Sequence, residues 1–253
     1  MADSRTIVLV HGNPESAAIW GPLSDALGKR GVGEVVAVSP PGFGAPVPPG
    51  FEPSMAAYSS WLIGELETIG GDIDVVGHDW GAGHVYGLLA TRPDLVRTWA
   101  VDVAGIIHHD YVWHDMAQAW QTPDIGEQAI AGMTSGTAEE RTALFVGLGM
   151  PADMASELAV GLNAEMGRCI LALYRDAKQP AMGELGDRVV AAERPPGLVI
   201  DATGDEYIPT ALSNDMAARL GAEVLALNGQ GHWWMVSDVD EVAEGLVAFW
   251  ASN

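Results

Sequence analysis

Positive charge is scarce in this chain. Its 253 residues include 12 Lys and Arg against 34 Asp and Glu, a formal net charge of −22 at pH 7. Such a surface repels phosphate backbones and anionic lipid, so nucleic acid and membrane are excluded as partners and anionic substrates are disfavoured. Cysteine is scarcer still. Cys169 stands alone, which excludes an internal disulfide framework and a Cys-based metal site and leaves small apolar filling as its role. No apolar run reaches the roughly 18 residues of a membrane span, and Met1, Ala2, Asp3, Ser4 and Arg5 lack a signal-peptide pattern. The expected location is cytoplasmic. Repeats are absent, and the Pro/Gly-rich stretch Ser39 to Pro53 is the one biased segment.

What is present suffices for a sizeable core, 48% of the residues being hydrophobic. Apolar runs read as strands at Ile7 to Val10, Val35 to Val38, Ile73 to Val76, Thr98 to Val103, Leu198 to Ala202 and Glu223 to Leu227. Helical spacing falls between them, at Ile19 to Leu27, after a Ser54 N-cap to Ile69, Gly83 to Ala90, Thr210 to Leu220 and Val239 to Trp250. This alternation predicts an α/β fold with a mostly parallel, doubly wound sheet. From Ile107 to Pro180 the pattern is helical and rich in Met, Ala and Trp. It reads as an inserted helical cap (107–180) between a first core part (1–106) and a second (181–253).

The chemistry gathers at strand exits, where open α/β sheets bind ligands. Gly77, His78, Asp79, Trp80, Gly81 and Gly83 form a glycine-rich turn between strand and helix, with residue 79 at its tip. An aspartate of ordinary pKa, about 3.9, is already an anion at pH 7, and a helix N-terminus favours it further. Such a carboxylate suits attack on an sp³ carbon, giving an alkyl ester. The bland alternative is an Asp that caps the helix. Two further strand exits carry Asp205 and, between glycine and tryptophan, His232. The order nucleophile, acid, histidine resembles the α/β-hydrolases, and the turn resembles their nucleophile elbow with Asp in place of Ser.

Taken with His11, Gly12, Asn13 and Pro14, these motifs resemble the Asp-nucleophile branch of that family, the epoxide hydrolases and haloalkane dehalogenases. The resemblance covers essentially the whole core, although six strands are counted where the family usually has eight. It implies an Asp79 ester, a water activated by His232 with Asp205 behind it, and an oxyanion hole from the backbone N–H groups of Asn13 and Trp80. Asp102, ending its own strand, is the alternative acid.

The leaving group divides the two families. An epoxide oxygen needs a proton, and Tyr174 resembles the second cap tyrosine of epoxide hydrolases; the first aligns with Met116, with Tyr111 or His114 as substitutes. A halide needs N–H donors, which Asn13, Trp80 and Trp120 offer. Epoxide hydrolysis is the preferred reading, haloalkane dehalogenation the alternative, and a non-hydrolytic binder or a changed esterase or lyase the readings from other classes. No histidine spacing matches a metal site, and His78, His84, His108 and His109 read as structural or surface residues. No cofactor is implied. The expected partners are water and a small neutral hydrophobic substrate, with a homodimer also open.

Overall fold

The computed structural model describes residues 5–237 and 239–253; Met1 to Ser4, read above as lacking a leader pattern, lie outside it. Six parallel strands run β1 (Thr6–Val10), β2 (Glu34–Val38), β3 (Ile73–Gly77), β4 (Thr98–Val101), β5 (Gly197–Ala202) and β6 (Glu223–Leu227) in the spatial order β2-β1-β3-β4-β5-β6. The strand order reverses beside β1 and β3, whose carboxyl ends therefore open the crevice. Buried on both faces, β3 and β4 are mostly apolar and owe little to alternation; their polar members, Asp74 and Thr98, are buried and bonded to each other.

Helices α1 (Gly21–Arg30), α2 (Met55–Ile69) and α3 (Trp80–Leu89) fill the crossovers. Ser54 caps α2 by accepting the Ala57 N–H at 3.1 Å. Between β4 and β5 come α4 (Asp115–Gln121), α5 (Ile125–Thr134), α6 (Ala138–Gly147), α7 (Ala152–Ala159), α8 (Ala164–Asp176) and α9 (Ala181–Ala191). Of these, α4, α5 and α8 pack on one another, α6 pairs with α7, and α9 lies against α3 of the sheet layer. Helices α10 (Thr210–Leu220) and α11 (Val239–Ser252) complete the chain. Among the described residues, no helix is long and apolar enough to cross a membrane.

Two differences from the sequence reading fall at the site. The elbow helix begins at Trp80, one residue after the turn, because Asp79 holds the reversal by itself at φ 51°, ψ −120°. Strand β4 stops at Val101, two residues early: Asp102 turns its carboxylate toward the elbow, and Val103 takes a left-handed φ of 44°.

The elbow packs closely where glycines leave room for neighbouring backbone or side chain. A β-carbon at Gly81 would land on the Val10 carbonyl, and one at Gly12 on the Asp79 carboxylate. Gly81→Ala should therefore lower unfolding free energy by at least about 2 kcal/mol, since the obstacle is backbone and not a yielding side chain. Urea denaturation checks this, and an unchanged midpoint would contradict the close approach.

Candidate active site

Asp79 sits where β3 hands over to α3, in a backbone region that costs about 1–3 kcal/mol for a residue other than glycine. Neighbouring donors and acceptors hold it there. Its own N–H donates to Asp102 Oδ1 at 2.9 Å, and its Oδ1 accepts the Asn13 N–H at 3.0 Å. Burial raises its pKa to about 6, against the opposing pull of His232 and His78, so it is still mostly the anion at pH 7. The sequence reading of an ordinary carboxylate was too low on this point, because desolvation outweighs the helix N-terminus.

Asp205 and His232 meet across the sheet top. His232 Nδ1 bonds Asp205 Oδ2 at 2.8 Å, and Asp205 also accepts the Tyr207 N–H at 2.7 Å. Burial opposes the charged form of His232, yet the Asp205 carboxylate carries its pKa above the ordinary value. Asp102 is engaged elsewhere: its Oδ2 accepts the Trp234 indole N–H at 2.7 Å and bonds His78 Nδ1. The alternative acid thus faces the residue before Asp79, and Asp205 is the acid bonded to His232.

That contact opens a network absent from the sequence reading. His78 Nε2 reaches Glu15 Oε1 at 3.3 Å, and the same oxygen accepts the Trp233 indole N–H at 2.6 Å. Glu15 Oε2 accepts the Gly12 N–H at 3.3 Å. Glu15, His78 and Asp102 are all buried. Burial disfavours both charges, but mutual attraction prevails: Glu15 falls to about 2 and His78 rises well above its ordinary value. The sequence held a weak signal for this in Glu15 directly after the Asn13-Pro14 turn, and none for His78.

Donor atoms of Glu15, His78 and His232 lie within 4.8 Å of one another, the spacing of a metal site. Each of these residues is engaged within the protein: His78 bonds Asp102 and Glu15 through its two ring nitrogens, His232 Nδ1 bonds Asp205, and both Glu15 oxygens accept N–H groups.

Above Asp79 lies a cavity of about 570 Å³. Asn13, Asp79, Tyr111, Trp113, His114, Met116, Trp120, Tyr174 and His232 all line it, and no Lys or Arg does. Of the sequence candidates, Trp80, Asp102 and Asp205 do not line this cavity; Trp80 is buried behind it with its ring 5.3 Å from Tyr174 and 5.9 Å from Trp113. Asp205 stands one residue behind the lining, through His232. The Tyr174 hydroxyl accepts from Asn13 Nδ2 at 3.2 Å, while burial first, then the Asp79 charge, hold the phenol protonated. Tyr111 is likewise kept protonated by burial and Asp79, its hydroxyl 3.3 Å from the Tyr207 carbonyl. Burial lowers His114 to about 4, and its Nδ1 accepts the Ala117 N–H at 3.3 Å as the cap of α4, so it is a neutral imidazole and a poor acid. Met116, 44% exposed, forms the rim. Trp120 Nε1 is buried without a partner.

Comparison with known proteins agrees with the architecture. A haloalkane dehalogenase of Bradyrhizobium elkani USDA94 superposes with a TM-score of 0.74 over 100% of this chain and 93% of its own, at 23% identity. The N-formylmaleamic acid deformylase of Pseudomonas putida S16 does so at 0.76 over 96% and 92%, at 14% identity. An (E)-2-((N-methylformamido)methylene)succinate hydrolase of Acinetobacter baylyi is 28% identical over 100 residues, 39% of this chain and 37% of that protein. The sequence profile described as "Alpha/beta hydrolase family" matches residues 7–245, and with the parallel sheet and its strand-turn-helix elbow this places the chain in the alpha/beta hydrolase family.

Proposed function

We propose that the protein hydrolyses a small, neutral, hydrophobic epoxide to a diol through an alkyl ester on Asp79, beneath a cap formed by residues 107–180. The observation that carries this reading is the state of Tyr174. Its hydroxyl accepts the Asn13 amide N–H and so keeps its own proton to give. An Asp79 oxygen attacks one epoxide carbon, the ring C–O bond breaks, and Tyr174 protonates the departing oxygen; Tyr111, whose hydroxyl donates to the Tyr207 carbonyl, would turn from it to serve as the second phenol. His232, oriented by Asp205, then takes a proton from water as that water adds to the Asp79 carbonyl carbon. The oxyanion draws on the N–H groups of Asn13 and Trp80. Collapse breaks the bond between that carbon and the attacking oxygen, which takes the proton from His232 and leaves in the diol; the water oxygen stays on Asp79, and its remaining proton restores the Tyr174 phenol.

The cavity supports a neutral substrate. Succinate and maleamic acid derivatives, named for two of the similar proteins, carry carboxylates, and here no Lys or Arg lines the wall to receive one. A second reading, haloalkane dehalogenation, has its own observation: Trp120, on the cavity wall, has a buried Nε1 donor without a partner, although Trp80, the other indole that reading would use, stands behind the wall beside Tyr174.

Purified protein should yield diol from neutral epoxides and no halide from chloro- or bromoalkanes. Halide without diol would transfer the assignment to the second reading, and neither product would transfer it to a binder. Tyr174→Phe should lower kcat/KM for the epoxide by about 10²–10⁴, the usual worth of a positioned acid, while Trp120→Phe costs much less. In His232→Gln, peptide mass spectrometry should find Asp79 heavier by one substrate molecule; steady diol production without an adduct would remove His232 as the base. Ester formation should fall about tenfold per pH unit below the Asp79 pKa of about 6, where the nucleophile takes up a proton.

A further inference from the structure

The cap wall above Asp79 presents two N–H donors that the reaction proposed above leaves unused, both from α4 and its N-cap. His114 caps that helix through Nδ1, which accepts the Ala117 N–H at 3.3 Å. A neutral imidazole whose Nδ1 is an acceptor has its proton on Nε2, at the other side of the ring, and burial keeps His114 neutral by lowering its pKa to about 4. Among the described residues, no acceptor meets that Nε2–H. Further along α4, the Trp120 indole N–H is buried without a partner. The two rings stand edge to face with centroids 6.3 Å apart, and both residues line the cavity.

We propose that His114 and Trp120 form a subsite for an uncharged carbonyl oxygen, which makes them specificity-determining residues and the substrate an epoxide that also carries a ketone, ester or amide group. The substrate class rests on the epoxide reading, whereas the subsite rests on the two donors alone. A carbonyl oxygen offers two lone pairs, one for each N–H. An indole N–H left unpaired in the interior is unfavourable, and such an oxygen relieves it on binding. Charge decides that the acceptor is neutral. Asp79, Asp115 and Glu206 line the same cavity and no Lys or Arg does, so a carboxylate is repelled where an uncharged oxygen is accepted. Position decides that it lies close to the epoxide. The Trp120 ring is 4.8 Å from that of Tyr174, and the His114 ring is 4.9 Å from Tyr207, which in turn is 4.8 Å from His232. The pair therefore stands between the acid and the base. Because the departing epoxide oxygen takes its proton from Tyr174, the Trp120 N–H is left for a different atom of the same molecule.

The test has a spectral arm and a kinetic one. In nitrogen-15 spectra of substrate-free protein at about pH 7, His114 should be protonated on Nε2 alone. Adding cyclohexanone, a ketone without an epoxide, should then shift both the His114 Nε2–H and the Trp120 indole signals. A proton on Nδ1 of His114, or the absence of either shift, overturns the proposal; a Trp120 shift with bromide and none with the ketone overturns it in favour of a halide site. For turnover, an epoxyketone is compared with the epoxyalkane that has a methylene in place of the carbonyl. The ratio of their kcat/KM values, ketone over alkane, should fall about three- to tenfold in Trp120→Phe and in His114→Ser, which keeps a capping hydroxyl for α4 and lacks the ring N–H. Taken as a ratio, this readout cancels any general loss from repacking and any intrinsic difference between the two epoxides. A ratio unchanged in either folded variant overturns the assignment. Both spectral shifts without diol from either epoxide would strike the proposed reaction and leave the carbonyl subsite standing.

Discussion

The structure depends on a buried balance of charge around a strained backbone. Asp79 adopts a conformation that ordinary residues avoid, and its N–H and carboxylate are held from two directions, by Asp102 and by the Asn13 N–H. Asp102 can serve as an acceptor there because its other oxygen is satisfied by Trp234 and His78. An isolated buried carboxylate in that place would be costly, and a neutral residue could not accept from the indole, the imidazole and the backbone at once. The shape of the elbow and the electrostatics of the site are therefore one arrangement.

The same balance separates the two carboxylates that face His232. Asp205 lies beside His232 and accepts the Tyr207 N–H, and its pKa is lowered by the charge and hydrogen bond of His232 against the penalty of burial. Asp79 has one backbone N–H on its carboxylate and is raised to about 6 by burial. An anion with fewer hydrogen bonds is closer to a reactive one, because less solvation must be removed before it attacks. Asp205, better satisfied, suits the orienting of an imidazole.

Much of the fold was legible in the sequence because its signals are local. Six apolar runs of about five residues, each broken by Gly, Pro or Asp, correspond to the six strands, and the glycines at 77, 81 and 83 mark the elbow. The chain order of Asp79, Asp205 and His232, each after a strand, points to one sheet edge, where Asp79 and His232 line the same cavity and Asp205 bonds His232. The Glu15–His78–Asp102 network was not legible. Its members are 63 and 24 residues apart, no periodicity links them, and His78 reads like any histidine beside a glycine. The pKa of Asp79 was out of reach for a related reason: helix position is a local property, whereas desolvation depends on the walls that distant segments build. Asp102 and Asp205 both follow strands, Asp102 directly after β4 and Asp205 in the loop after β5, and the partner of each side chain distinguishes them.

The leaving group turns on one proton at the Asn13–Tyr174 contact. The phenol has one proton and the amide two, and both side chains can also accept. When Asn13 donates, the proton of Tyr174 is free for an alkoxide, and the Asn13 oxygen is left without a partner, as it is here. When the amide is reversed, Tyr174 spends its proton on the Asn13 oxygen, and the freed amide N–H can serve a halide in the cavity that Trp120 also lines. The two chemistries thus draw on a single shared contact in opposite senses and cannot both be optimal in one cavity. In the proposed reaction the amide orientation found here leaves the Tyr174 proton for an epoxide oxygen, while the unpartnered Trp120 N–H is a donor that the halide of the second reading would use. Which of these donors a bound substrate engages is therefore the feature that distinguishes two reactions sharing every other residue of the site.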